Sequence, residues 1–502
     1  YQRKNFRKLS LVCSNRFQLD RMDSHSVTFG NGVIFDPKQL WNDHVDYICG
    51  KAHRMMQKIM RTTGKEWGLS GEVLQTIYNC AIEPMISYAC SAWSDALNKT
   101  GVQNRLLRAQ REFALLIIRA YKTVSGRAAR VLADLPPLDL RLKMWASRYE
   151  MRHGRPPANL QHLEFQMPAH FLDNGHPALE AAFVNDHCLS HHQFEIYTDG
   201  SKMEVFDEDG TSRGHQTGGA FVVYQADQIW HSEKFRLANH CSVYQAELLA
   251  IKKAISWCTT NGASAIIQSD SKSSLQTIQN KTSRNRMAVE IRDMLRSHRN
   301  HICLRWVKAH VGIEGNEKAD ELAKEAISEP VIQYSKCPIS FAVRQMKQQV
   351  IDEWETRWQD PREKRGALTR KFFPTIADRR KCHFIPNYIA TQYLTGHGRF
   401  NDYLSWRQIQ TESLCPCGRA DETPLHLIED CERTAALKHQ LDLQLSKELD
   451  RTRVELSDYC LDQCLPIFYT FLHTIHDLDR TPHHPHTTLD TQHSHPTHRL
   501  SL

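Results

Sequence analysis

The chain has 502 residues, too many for one ordinary hydrophobic core, so two to four domains are expected. Its apolar fraction of 41% supports globular packing, and its net charge of +7 is concentrated at the front, where residues 1–190 carry 25 Lys+Arg against 17 Asp+Glu. No run of 18 apolar residues and no secretory n-region with an apolar h-region occur, and the 15 cysteines are odd in number and mostly scattered, which argues against a membrane span and against a disulfide-stapled secreted module. The expected setting is intracellular, in cytoplasm or nucleus, with mostly reduced thiols and no membrane partner. The first residue is Tyr rather than Met, as expected of a piece of a longer polyprotein.

In the first third, FGNGVIFDP (29–37) predicts a turn and a short strand that Pro37 ends. From about Leu40 the apolar residues Leu40, Val45, Ile48, Ala52, Met55, Met56 and Ile59 follow a helical period. A second helix is expected after Ser70, a good N-cap, with Pro84 kinking or breaking it. A third helix, NRLLRAQREFALLIIRAYKTV, repeats Arg105, Arg108, Arg111 and Arg119 opposite an apolar face. That is either a solvated arginine face on a helical bundle or a nucleic-acid-binding face. Residues 155–180, rich in Pro, His and Asn without a period, read as a linker or an extended wrap.

The middle of the chain changes character. FEIYTDGSK alternates as a strand does, a loop (MEVFDEDGTSRGHQT) follows, and GGAFVVY and QIWHSEKFRL read as two further strands. YQAELLAIKKAISWCTT is a helix, ASAIIQSDS a buried strand, SSLQTIQ and AVEIRDMLRSHRN helices, ICLRWVKAH a strand, and Asn316–Ala326 a final helix. This order is that of a mixed α/β layer domain. Four acids lie where such a fold can gather carboxylates: Asp199 and Asp270 end strands, Glu247 lies on the first helix, and Asp320 on the last. Phosphodiester hydrolysis needs an activated water and a stabilised leaving oxygen, which two divalent metals can supply. Hard cations such as Mg²⁺ take oxygen ligands, so carboxylates rather than Cys or His are the fitting set. Taken singly, each acid reads more readily as a cap or a solvated surface charge.

In the last third, SFAVRQMKQQVIDEWETRWQD predicts an amphipathic helix. Two basic clusters interleaved with aromatics follow (361–384), suited either to backbone contacts with base stacking or to an ordinary packed helix pair. Cys415, Cys417, His426 and Cys431 are spaced C-x-C-x₈-H-x₄-C. Three thiolates and an imidazole complete a closed tetrahedral Zn²⁺ site of structural type, unless the four are unrelated. The tail from about residue 480, rich in His and Pro, is expected to be disordered.

Three stretches carry a resemblance. GVIFDPKQLWNDHVDYICGKA, WGLS, IYNCAIEPMISYACSAW, QREFALLIIRAYKTVS and LPPLDLR (about 30–145) resemble the thumb-like helical region after the palm in non-LTR (LINE-type) retrotransposon reverse transcriptases, which grips template–primer duplex. TDGS, GGA, AELLAI, SDS and WVKAHVGIEGNEKADELA closely resemble the type 1 ribonuclease H family. The Cys-Cys-His-Cys motif is similar to one that ends many non-LTR retrotransposon polyproteins, where it is thought to contact nucleic acid. The resemblance implies a ribonuclease H-like mixed five-stranded sheet with helices, between a thumb-like helical region and a helical zinc-binding module. It implies two Mg²⁺ (or Mn²⁺) on Asp199, Glu247, Asp270 and Asp320, with His310, ten residues before Asp320, moving protons or releasing product. Ser201, Asn239, Ser271 and Asn316 are implied contacts to nucleic-acid backbone or 2′-hydroxyls. The expected boundaries are 1–150 thumb-like, 151–190 linker, 191–330 ribonuclease H, 331–450 helical with the zinc motif at 415–431, and 451–502 tail. The implied activity is metal-dependent endonucleolytic hydrolysis of the RNA strand of RNA–DNA hybrids, which removes template RNA after first-strand synthesis. The paired aspartates of a polymerase palm are absent from the sequence, so polymerisation by this chain alone is not expected, and an upstream reverse-transcriptase/endonuclease part is the implied partner. The competing reading is a non-catalytic nucleic-acid-binding remnant using the basic helices and the zinc motif.

Overall fold

The computed structural model describes residues 28–478 apart from 31, 37, 39, 65–66, 171–172, 174–191, 207–208, 210 and 299–300; the histidine-rich tail lies outside the described residues. Two compact units are present, one of Ala146–Gln349 and one in which Tyr1–Trp145 and Val350–Leu502 come together.

The first unit is built on a six-stranded sheet. In chain order its elements are β1 (Phe194–Phe206), β2 (Ser212–Gln225), β3 (Gln228–Leu237), α1 (Val243–Asn261), β4 (Ala265–Ser269), α2 (Lys272–Gln279), α3 (Arg286–Ser297), β5 (Ile302–Trp306), α4 (Glu314–Glu325) and β6 (Ile332–Tyr334). The strand order is β5-β4-β1-β2-β3-β6, with β1, β2 and β3 an antiparallel meander and β4 and β5 parallel to β1. The five expected strands are there, and β6 adds a sixth, parallel to β3. With three residues and a largely exposed pattern, β6 has no alternation for a sequence to display.

One expectation is corrected. The stretch read as a loop, MEVFDEDGTSRGHQT, is largely strand: β1 and β2 stay paired from Ser201↔Gly218 out to Phe206↔Ser212. This polar hairpin arm is held by backbone pairing and by the Ser212 hydroxyl donating to Glu204 at 2.6 Å, so it lacks the apolar alternation by which strands are read.

Ser242 and Gln245 close α1 with a reciprocal capping box, and Gly262 ends it at φ 61°. One face of α1 buries Leu248, Ile251 and Ile255 with Ile196, Phe221 and Ile267 of the sheet. The GGA stretch is where β2 is pressed closely, by helix α4 at Gly218 and by a ring of β3 at Gly219. A Cβ on Gly218 would lie 2.5 Å from the Ala323 carbonyl at the end of α4, and one on Gly219 would lie 2.5 Å from the Phe235 ring. Only glycine allows both approaches.

In the second unit, Thr28–Gly30 and Val33–Phe35 pair as a hairpin, and the helix Asn42–Met60 buries Val45, Ile48, Ala52 and Met56. Ser70 caps Gly71–Ile77 by accepting the Val73 N–H at 3.3 Å. The kink or break expected at Pro84 takes the form of a π-helical turn at Tyr78–Ile82, which runs without a gap into Glu83–Ser87 with Pro84 in its first turn. The third helix runs Thr100–Ile117. Its arginines are mostly used inside the fold. Arg105 pairs with Asp46 at 2.8 Å, Arg111 donates to the Val124 carbonyl, and Arg119 donates to the Leu69 carbonyl. The basic stretch after Ile339–Trp358 behaves alike: Arg379 is buried and donates to the Leu132 carbonyl at 2.7 Å, and Arg370 lies 4.8 Å over the Trp358 ring. Residues far apart in sequence meet here, as in the Tyr121–Tyr388 hydroxyl pair at 2.7 Å and the Arg357–Asp139 ion pair at 2.9 Å.

Candidate metal centres

The register of two parallel strands places the first two acids. β1 and β4 pair from Phe194↔Ala265 to Thr198↔Ser269, and the next residue on each is an aspartate. Neighbouring strands lie about 4.8 Å apart, so Asp199 and Asp270 leave the sheet side by side. The third acid arrives because Gly200 has no side chain: a Cβ there would stand 2.7 Å from the Glu247 amide nitrogen. That close approach of α1 brings one carboxylate oxygen each of Asp199, Glu247 and Asp270 within 4.8 Å of one another. Asp320, on α4, is near enough for its charge to raise the Asp199 carboxyl, and it holds the Lys324 ammonium at 2.8 Å.

The electrostatics follow from crowding. Burial first, then the charges of Asp270 and Asp320, push the Asp199 carboxyl up to about 7. Burial first, then the charges of Asp199 and Asp270, push Glu247 well above its usual range. Glu247 Oε2 is buried with no hydrogen-bond partner, as is Asn316 Oδ1. An all-oxygen donor set, one orphaned carboxylate oxygen and strong mutual repulsion fit divalent cations such as Mg²⁺ or Mn²⁺.

The remaining expected residues divide. Asn316 is buried and donates from Nδ2 to Asp270 Oδ2 at 3.2 Å, so it braces an acid. Ser271 donates its hydroxyl to Ser274 at 2.8 Å beside Asp270. Ser201 is half-buried on β1, opposite Gly218. Asn239 is exposed in the β3–α1 loop and accepts the Lys202 ammonium through its main-chain oxygen. His310 is exposed on the β5–α4 loop in the left-handed region, φ 53°, with no hydrogen bond or ion pair to the acids among the described residues. Three residues at the site escaped the sequence reading: Gly200, Lys324, and Trp306, whose indole N–H donates to the Asp270 carbonyl at 3.2 Å. Lys324 had a signal, its four-residue spacing from Asp320.

The second unit holds the other cluster. Cys415, Cys417, His426 and Cys431 each bring one ligand atom within 4.8 Å of the rest. The turn is tied by Gly418 N–H to the Cys415 carbonyl and Cys415 N–H to the Ala420 carbonyl, both 2.8 Å, with Gly418 at φ 76°. Cys415 and Cys431 sulfurs are 3.7 Å apart, close to the edge of about 3.8 Å in a tetrahedron with Zn–S bonds of ~2.3 Å. Cys417 Sγ lies 3.1 Å from His426 Nε2. The Arg419 amide, and then His426, pull the Cys417 thiol down to about 6, while burial pushes Cys415 up to about 12. The donor set and spacing fit one Zn²⁺.

A family model described as RNase H matches residues 191–328. The chain is similar to a 115 kDa protein in type-1 retrotransposable element R1DM of Drosophila melanogaster, with 33% identity over 25% of this chain and 12% of that protein. It is also similar to a retrovirus-related Pol polyprotein from type-1 retrotransposable element R1 4 of Nasonia vitripennis (30% identity, 24% of this chain, 31% of that protein). An R1 Pol polyprotein of Popillia japonica is 24% identical over 39% of this chain and 78% of that protein. The chain thus spans less than a third of the Drosophila and Nasonia proteins. Among solved structures, foamy viral protease-reverse transcriptase in complex with RNA/DNA hybrid is 19% identical, with a TM-score of 0.24 over 30% of this chain and 22% of that one. LC11-RNase H1, isolated from compost, is 18% identical, with a TM-score of 0.22 over 27% of this chain and 96% of that one.

Proposed function

This chain is a non-LTR retrotransposon protein with a ribonuclease H domain, and on that premise we propose that it hydrolyses the RNA strand of RNA–DNA hybrids with the aid of two divalent metal ions. The observation that carries the reading is the convergence of Asp199, Glu247 and Asp270 within 4.8 Å, with the charge of Asp320 acting on Asp199. Bound there, two divalent ions supply an activated water and charge stabilisation at the leaving oxygen. The chain's own residues prepare that chemistry. Asp199 and Asp270 present their oxygens from a rigid sheet edge, Asn316 fixes the orientation of Asp270, and Glu247 contributes an oxygen with no competing partner. His310, exposed on its loop, is placed to exchange protons with solvent.

In this reading the substrate is an RNA–DNA hybrid and the partner an upstream reverse-transcriptase/endonuclease part of a polyprotein. The helical region of residues 30–145 grips duplex, and the Cys415–Cys417–His426–Cys431 site holds one structural Zn²⁺. Among the described residues no helix is long and apolar enough to cross a membrane. The test is cleavage of a hybrid labelled on its RNA strand, with duplex DNA as control. Mg²⁺-dependent loss of the RNA strand alone supports the proposal. Tight binding of the hybrid without cleavage in Mg²⁺ or Mn²⁺ replaces it with the non-catalytic binding role.

A further inference from the structure

The RNase H match ends at residue 328, yet the unit around it does not. Two flanking segments are hydrogen-bonded to each other and to the domain. Phe165 bridges Cys337, with Gln166 N–H donating to the Cys337 carbonyl at 2.9 Å and Cys337 N–H to the Glu164 carbonyl at 2.7 Å. Gln245 of α1 donates to the Lys336 carbonyl at 3.0 Å, and His240 meets the Ser335 carbonyl at 2.7 Å. The flanks are therefore walls of this unit.

Between these walls, the β1–β2 hairpin and the start of α1 lies a groove of about 880 Å³. Its lining includes Lys202 and Arg344 with His162, His215 and His240, and no Asp or Glu. Arg344 is exposed and makes no hydrogen bond or ion pair among the described residues. Lys202 donates to the carbonyls of Asn239 and Cys241, at 3.0 and 2.6 Å, which leaves one of its three N–H donors unused. Burial pulls the Lys202 ammonium below its usual pKa, and the charge of Arg344 pulls it the same way. Two cations thus face one groove with no anion between them.

The groove is close to the carboxylates. Lys202 is three residues past Asp199 on β1, about 10 Å at ~3.3 Å per residue, and shares with Gly200 the sheet face that packs on α1, the helix that carries Glu247. Ser242, which also lines the groove, caps the helix that carries Glu247 five residues on, about 7.5 Å at 1.5 Å per residue. A duplex lying over the acids spans such distances within about three steps at ~3.4 Å each.

We propose that the segments flanking the ribonuclease H fold supply a substrate-binding surface of their own, in which Arg344, together with Lys202 and His215, holds the phosphodiester backbone of one strand of the hybrid. The proposal rests on the hybrid-cleaving reading above. It makes Arg344, which lies outside the matched family segment, a binding residue for the same substrate.

Binding is measured on the full chain in an Asp270→Asn background, so that a fluorescent hybrid is not consumed, across a range of salt concentrations. KM and kcat are measured on the otherwise unaltered chain. Arg344→Ala is expected to weaken binding roughly 3- to 10-fold and to lower the slope of log Kd against log salt by about one, the signature of one lost phosphate contact. KM should rise by the same factor with kcat unchanged. Arg344→Lys should restore most of the affinity, and Arg344→Glu should weaken it further. Because Arg344 is exposed, the melting temperature should not move. A Kd and salt slope in Arg344→Ala and Arg344→Glu unchanged from the parent chain overturn the groove assignment. Arg344-dependent binding by a chain that cleaves nothing keeps the groove and overturns the hydrolytic reading, whereas cleavage with an Arg344-independent KM does the reverse.

Discussion

Asp199 and Asp270 are the first residues beyond the same rung of a parallel ladder, immediately after the pair Thr198↔Ser269. Two buried or half-buried carboxylates are thereby held at one height on adjacent strands, and Asn316 reaches across to Asp270 Oδ2 at 3.2 Å. Bracing of this kind sets the orientation of a metal ligand. Replacing such a partner typically costs 10- to 100-fold in metal affinity. Asn316→Ala should therefore weaken Mg²⁺ binding by about that factor, read by isothermal titration, without unfolding the domain. An unchanged affinity would remove Asn316 from the site.

Gly200 makes a second prediction. A methyl group there would meet the backbone nitrogen of Glu247 at 2.7 Å and the Ala246 Cβ at 2.9 Å, and backbone cannot swing aside as a side-chain tip can. Gly200→Ala should push α1 off the sheet, destabilise the unit by about 1–3 kcal/mol, and carry Glu247 out of the cluster. The measurement is the Mg²⁺-induced rise in melting temperature, which should shrink well below that of the unaltered chain. A full Mg²⁺ response would show that α1 does not need this contact.

The pH dependence has a definite sign. Asp199 is pushed up to about 7 in the folded chain from an ordinary value near 3.8. A carboxyl raised by folding favours the folded state while protonated. That contribution is fully present below about pH 3.8 and is lost as pH rises through about 7. Without divalent metal, this site should lower the melting temperature as pH climbs from 4 towards 7. Mg²⁺ favours the ionised form and should raise the melting temperature more at pH 8 than at pH 5. Asp199→Asn should flatten both effects. An equal Mg²⁺ response at the two pH values would contradict the assignment of the titration to this cluster.

The thiol cluster predicts one zinc per chain by elemental analysis of protein purified without added metal. Cys417→Ser removes the thiol that titrates lowest of those shifted at the site, at about 6, and should abolish stoichiometric zinc and lower the stability of the unit that contains it. Retention of one zinc per chain in that variant would contradict the four-ligand site.

Much of the central unit is legible in the chain because its strands and helices alternate apolar residues with the periods of buried elements. Ile196 and Ile267 mark core strands, and Leu248 and Ile251 mark the inner face of α1. The acids Asp199, Glu247 and Asp270, which converge in the structure, could be singled out because they stand in short, local patterns at strand ends and on the first helix. What could not be read is whatever depends on distant backbone. The β1–β2 arm out to Phe206↔Ser212 and the strand β6 are held by backbone pairing rather than apolar faces. The apposition of Tyr121 with Tyr388 and of Asp139 with Arg357 joins parts of the chain that no local window connects. The arginines at 105, 111, 119 and 379 look like a nucleic-acid surface in sequence. The structure ties each to a carboxylate or main-chain carbonyl, which only the three-dimensional packing reveals.

The most direct test of the central claim is single-turnover cleavage of an RNA-labelled hybrid by the full chain in Mg²⁺, beside its Asp270→Asn variant. Asp270 is one of the three carboxylates within 4.8 Å, and removing its charge leaves the strand register that positions it intact. Loss of several kcal/mol of transition-state stabilisation corresponds to a rate drop of about 10³-fold or more. The account predicts cleavage of the RNA strand by the unaltered chain and a drop of that size in the variant. Equal rates in the two proteins would contradict it.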